Sequence, residues 1–147
     1  MKYTVEIDID LPRDQVVKLF DDPENLHKWQ PELVQFSSIS GVPGEVGAKS
    51  KLRYRMGRSE CELIETITKR DLPNEFSGTY ETKGVWNSVQ NFFSEAGSNR
   101  THWRMIAEFR GTTLFMKLMC LFAPWMFKTQ SMRMIKQFKK FAESESN

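Results

Sequence analysis

The stretch TLFMKLMCLFAPWMFKTQSMRMIKQFKKFAE, residues 113–143, dictates how the rest of the chain must fold. From Phe127 onward, Phe127, Ser131, Met134, Ile135, Phe138, Phe141 and Ala142 recur mostly at steps of three and four, and Lys128, Arg133, Lys136, Lys139 and Lys140 fill the opposite side. That spacing predicts an amphipathic helix. Upstream, Leu114, Phe115, Met116, Leu118, Met119, Leu121 and Phe122 are apolar almost all round, so this half needs cover on most sides, an oily space to line, or a membrane to meet. Pro124 separates the halves. It cannot donate to the Cys120 carbonyl and its ring crowds that turn, so the helix is expected to kink or to restart there. A stripe this long requires a large apolar partner, and the preceding strands are the only candidate.

Those strands are announced by period-two alternation. Tyr3, Val5, Ile7 and Ile9 alternate with Lys2, Thr4, Glu6, Asp8 and Asp10, the signature of a strand with one buried face. Pro12 opens a short helix with Val16, Val17, Leu19 and Phe20 on its apolar side. Asp22 then caps a second one, with Pro23 at its first position, Leu26 and Trp29 as anchors and Pro31 as its end. From Leu33 to Arg110 the period stays at two, and six strands are predicted: Leu33 to Ile39, Lys49 to Met56, the run through Cys61 and Ile67, the run through Phe76 and Tyr80, Val85 to Glu95, and Thr101 to Arg110. The turns between them are rich in Gly, Pro, Asn and Asp. Consecutive hairpins make an antiparallel meander that must twist and curl.

Composition limits the function classes. The 147 residues are 39% hydrophobic and 12% aromatic, enough for one domain, 1–147, with a real core. Twenty-one basic and 19 acidic residues leave a net charge of +2, which offers no bulk electrostatic case for nucleic acid. Cys61 and Cys120 are far apart and lack companion ligands, so neither a disulfide framework nor a metal site is expected; buried thiols in a reducing, cytoplasmic setting are. No apolar leader stands at Met1, and the run from Leu114 to Phe127 is too short for a spanning helix. No phosphate-binding loop, metal cluster or Ser/His/Asp signature occurs, and no cofactor is expected.

The order is strand, two short helices, six strands and one long helix: an α+β arrangement in which a seven-stranded curved antiparallel sheet wraps around the C-terminal helix. The residues that punctuate it are Leu11-Pro12, Asp22-Pro23-Glu24-Asn25-Leu26 with Trp29 and Pro31, Gly44-Glu45-Val46-Gly47, Asp71-Leu72-Pro73, and Phe138 with Glu143. In this order and spacing the chain resembles the helix-grip superfamily, which embraces birch-pollen-allergen-like proteins, steroidogenic-acute-regulatory-related lipid-transfer domains and polyketide cyclase/dehydrases.

The resemblance implies a long cavity between sheet and last helix that binds or transports a small, largely apolar molecule: a lipid, sterol, polyketide or aromatic. Tyr3, Val5, Ile7, Phe76, Tyr80, Trp103, Met105 and Phe109 from the sheet, and Leu118, Phe122, Trp125 and Met126 from the helix, form the expected inward set; the same aromatics and methionines could equally fill a dry core. If Cys61, Leu63 and Ile67 point inward, Glu65 does too, and a carboxyl there needs a partner, a water or a raised pKa. Tyr54, between Arg53 and Arg55, offers a phenol to the same space. For Val85 to Phe93 the alternation leaves two registers open: one turns Asn87 and Asn91 inward, the other Ser88 and Gln90. Trp29 is expected at the cavity mouth with His27 beside it, the segment from Asp22 to Pro31 serving as a gate.

Two alternatives to a carrier remain. A cyclase/aromatase-like enzyme would use groups such as Tyr54 or Glu65 for proton transfer, whereas the two histidines, His27 and His102, are expected outside the cavity. A co-chaperone-like interaction module is the other. The basic face of the last helix offers transient contact with a membrane surface. The oligomeric state is left open.

Overall fold

The computed structural model describes residues 1–145. Seven strands, β1 (Lys2–Ile9), β2 (Leu33–Ser40), β3 (Lys49–Met56), β4 (Ser59–Asp71), β5 (Glu75–Thr82), β6 (Val85–Gly97) and β7 (Arg100–Gly111), form one antiparallel sheet in the order β1-β7-β6-β5-β4-β3-β2. From β2 to β7 every strand pairs with the next in sequence, and β1 adds to the free edge of β7, so β1 and β2, consecutive in the chain, form the sheet's opposite edges.

Between β1 and β2 lie helix α1 (Arg13–Asp21), a 3₁₀ turn at Pro23–Asn25 and a single helical turn, α2 (Leu26–Trp29). Pro12 stands one position earlier than expected, at the N-cap, where its carbonyl accepts from Gln15 and Val16. Asp22 caps the following turn by accepting from the Glu24 amide at 3.0 Å. The Arg70 guanidinium ties this layer to the sheet by gripping both carboxylate oxygens of Asp21 at 2.7 Å and the Gly44 carbonyl at 3.2 Å.

At the C-terminus the chain restarts at the proline. Helix α3 (Leu114–Phe122) ends at Ala123, whose φ of −132° and ψ of 48° break the turn, and α4 (Pro124–Glu145) begins immediately. The Thr113 side chain caps α3 by accepting from Met116 N at 3.3 Å. Gly111 makes the reversal sterically feasible: a Cβ there would collide with Lys117 N and the Met116 backbone, so only glycine lets the first turn of α3 lie against the end of β7.

The core occupies one end of the inner face. Trp103 and Phe138 are fully buried, with Val5, Ile9, Val16, Phe93, Met105, Ile135 and Ala142 around them. Phe20 packs edge-on against Phe93, Trp103 and Phe138 at 5.1 to 5.8 Å, and Trp29 meets Phe138 at 5.1 Å. α4 lies over β1 and α2; at its far end the Glu143 carboxylate accepts from Asp10 N at 2.8 Å and from Lys139 at 2.9 Å.

Candidate functional site

The inner face can be followed strand by strand from the register. Across β7, β6, β5, β4 and β3 one row reads Phe109, Asn87, Tyr80, Glu65, Ser50; the row beside it on β4 and β3 holds Leu63 and Leu52, and the next Cys61 and Tyr54. Directly opposed residues in such ladders sit about 4.5–5.5 Å apart at Cβ, so Asn87, Tyr80, Glu65 and Ser50 form a continuous polar strip in an otherwise apolar surface. Odd numbers on β6 point inward. The register that turns Asn87 and Asn91 in is the one adopted, with Asn91 accepting from Trp103 Nε1 at 3.0 Å. Trp86 and Phe92 lie on the outer face, covered by the guanidinium groups of Arg110 and Arg104 at 4.7 and 5.0 Å from the ring centres.

Coverage divides this face in two. α4 shields the β1 side and α3 packs on the end of β7, but neither helix makes a major packing contact with β3, β4 or β5. Tyr54, Cys61, Leu63, Glu65, Tyr80, Thr82, Val85 and Asn87 are accordingly only half-buried, and together they form a partly covered stretch of the inner face, the cleft between sheet and helices.

The cleft's chemistry is one carboxyl between two phenols. Burial raises the proton affinity of Glu65 above that of an ordinary carboxyl, opposed in part by a hydrogen bond with Tyr80. Burial and the neighbouring Glu65 charge push both tyrosine hydroxyls up, so both remain protonated donors at neutral pH. Tyr54 donates to Gln30 Oε1 at 2.5 Å, which connects β3 to the end of α2. One buried polar atom of this strip, Asn87 Oδ1, has no protein partner.

Several expected cavity residues serve elsewhere. Trp29, 4% exposed, is a core residue wedged between Phe20 and Phe138, not a residue at a mouth; its two aromatic neighbours come from α1 and α4, a packing that sequence spacing does not reveal. Trp103 and Met105 are likewise sealed in the core. Phe76 meets Phe20 at 5.9 Å, and Phe109 packs between Tyr3, stacked at 6.0 Å, and Phe127, tilted at 4.8 Å, closing one end of the face. The Tyr3 hydroxyl bonds Ser131 Oγ at 2.6 Å and donates to the Phe127 carbonyl at 3.0 Å. Leu118, Phe122, Trp125 and Met126 are exposed on the outside of the α3–α4 junction, because α3 turns Met116, Met119 and Cys120 toward the sheet instead. Gln30 and Asn87 were the members of the site least visible in sequence. The signal for Asn87 was its place in one of the two open registers; Gln30 had none.

Outside the cleft, His27 is exposed, and His102 lies on the outer face between Asp8 and Glu6, at 2.7 and 3.0 Å, which raise its pKa. Cys61 and Cys120 are both free. Among the described residues no group of acidic, histidine or cysteine side chains could hold a metal ion, and no helix is long and apolar enough to cross a membrane.

A curled antiparallel sheet with a long C-terminal helix on its inner face defines the helix-grip class of hydrophobic-ligand-binding folds. Within that class, the chain belongs to the polyketide cyclase/dehydrase and lipid transport family, whose sequence profile matches residues 1–143. Solved structures with the same fold include the Zhui aromatase/cyclase of a Streptomyces species (10% identity, 100% of this chain and 96% of that one, TM-score 0.83). Norcoclaurine synthase of Thalictrum flavum is similar at 13% identity, 100% and 96% coverage and TM-score 0.76. A START superfamily protein of Mycobacterium smegmatis is similar at 9% identity, 97% coverage of each chain and TM-score 0.76. Comparison with curated proteins gives no match.

Proposed function

We propose that the protein binds a small, largely apolar molecule in the cleft over β3, β4 and β5, with its polar end at the Asn87–Tyr80–Glu65 strip. The observation that carries this is a polar strip set in half-buried apolar surface and left uncovered by both C-terminal helices. Apolar walls with a few convergent polar groups are the usual architecture of a small-molecule site. Leu63 and Val85 supply wall, and Tyr54, Glu65 and Tyr80 supply donors and an acid. Trp29, Trp103, Met105, Phe76 and Phe109 form the rigid packing behind and beside it. Family membership supports a hydrophobic ligand.

Native mass spectrometry of freshly purified protein tests this, together with titration of an apolar fluorophore. A co-purifying small molecule, and probe binding lost in Leu63→Trp, are the expected results. Absence of both, with Leu63→Trp behaving as the unaltered chain does, would reject the reading.

A second reading, acid–base catalysis on the bound molecule, is favoured by one specific observation: Glu65 retains a proton to higher pH than an ordinary carboxyl and faces a protonated tyrosine. Turnover of aromatic polyketide mimics that disappears in Glu65→Gln while binding persists would establish it; binding without turnover leaves a carrier.

A further inference from the structure

From Gly111 to Ala142 the chain contains no aspartate or glutamate and six cations, so all 19 acidic residues lie elsewhere. Arg133 pairs with Glu32 at 2.6 Å and Lys139 with Glu143 at 2.9 Å. Lys117, Lys128, Lys136 and Lys140 make no ion pair among the described residues. The same segment carries an exposed apolar surface. α3 buries none of its residues, and Leu114, Phe115, Leu121 and Phe122 are each more than two-thirds exposed. Trp125, 64% exposed, continues this surface onto α4. There it joins an open groove of about 610 Å³ lined by Trp125, Met132, Lys128, Arg133, Lys136 and Lys140. Contiguous exposed apolar surface of this kind marks an interaction site.

The charge decides between occupants. A second copy would dock isologously, face on face, and so bring a second set of unpaired lysines against the first. An anionic bilayer surface satisfies both halves at once: apolar side chains enter the acyl boundary and lysines meet headgroup phosphates. The nine residues of α3 span about 13 Å, a length for lying in the interface and not for crossing it. Tryptophan at the boundary of the apolar and basic zones matches the usual interfacial position of that side chain.

We propose that α3 inserts its exposed apolar face into an anionic membrane surface while the outer face of α4 holds the lipid headgroups. This docking does not depend on which molecule the cleft takes. It extends a basic-helix contact to a defined inserting element.

Flotation of the full chain with vesicles of phosphatidylcholine alone, or with about one-third phosphatidylglycerol, tests it. The chain should float only with the anionic vesicles and less at high salt. The triple variant Lys128→Gln/Lys136→Gln/Lys140→Gln should bind about 100-fold more weakly. Leu118→Asp/Phe122→Asp should no longer float although its circular dichroism is unchanged. Trp29 and Trp103 are buried and Trp86 is half-buried under Arg110 on the outer face of the sheet, so a blue shift of tryptophan emission on binding should come from Trp125 and vanish in Trp125→Phe while flotation persists. No flotation with either vesicle, equal flotation with both, or flotation indifferent to Leu118→Asp/Phe122→Asp would each overturn the proposal. A dimer in sedimentation equilibrium that Phe122→Asp dissolves, without flotation, would assign the face to a second copy and overturn it as well.

Discussion

The two ends of the inner face use the same alternating strands to opposite effect. Over β1, β7 and the far half of β6, helices α1, α2 and α4 bring Phe20, Trp29 and Phe138 down onto Trp103 and Phe93, and the result is dry and interlocked. Over the rows of β3, β4 and β5 that carry Leu63, Glu65 and Tyr80, neither α3 nor α4 makes a major packing contact, and those side chains stay within reach of water. A strand's apolar face is therefore not yet a core; coverage makes it one. Stability concentrates in the covered half, and the uncovered half is free to hold a polar strip that a packed core would exclude.

Substitutions should separate the two halves. Trp103→Ala or Phe138→Ala removes a fully buried aromatic and should cost about 3–5 kcal/mol in denaturant unfolding. Leu63→Ala, in the cleft, should cost nearer 1 kcal/mol. Equal losses at the two ends would abolish the distinction. Gly111→Ala probes the boundary: it forces α3 off the end of β7, should cost about 1–3 kcal/mol, and should raise hydrogen exchange in α3 while leaving the β1–β7 amides protected. If exchange rises uniformly, α3 is part of the core unit.

Glu65 sharpens the comparison through pH. Its folded-state pKa is raised, so its contribution is fully present below the ordinary value of 4.5 and is lost as pH rises through the folded value. Glu65→Gln should therefore match the unaltered chain in Tm at pH 4 and exceed it at pH 8. The smallest expected effect is at His102, on the outer face of the covered half. Its raised pKa makes its stabilisation complete below about 6.5 and lost as pH rises through the higher folded value. His102→Gln should lower Tm at pH 6, and the gap should narrow at higher pH; a gap independent of pH would mean that the pairs with Glu6 and Asp8 do not stabilise the fold.

Much of the architecture was legible because it is written in local periods. Tyr3, Val5, Ile7 and Ile9 declare β1, Ser131 to Ala142 declare the stripe of α4, and Pro124 declares the break, each through the geometry of a few consecutive residues. The inward turn of Glu65 follows from the same alternation once Ile67 is placed in the core.

What the tertiary structure alone decided are the positions where period and polarity disagree or vanish. Along β6 both faces are apolar, and the register is settled only when Phe93 and Val89 find Trp103 and Ala107, leaving Trp86 and Phe92 to shelter under arginines. In α3 all sides but that of Lys117 are apolar, so no stripe chooses which residues meet the sheet; contact with β7 chooses Met116, Met119 and Cys120 and leaves Phe122 outside. Trp29 and Gln30 acquire their places from Phe138 and Tyr54, more than a hundred and more than twenty residues away. Sequence by itself determined which segments are strands and helices, because that depends on neighbours along the chain; which faces are covered depends on neighbours in space, and only the assembled fold supplies those.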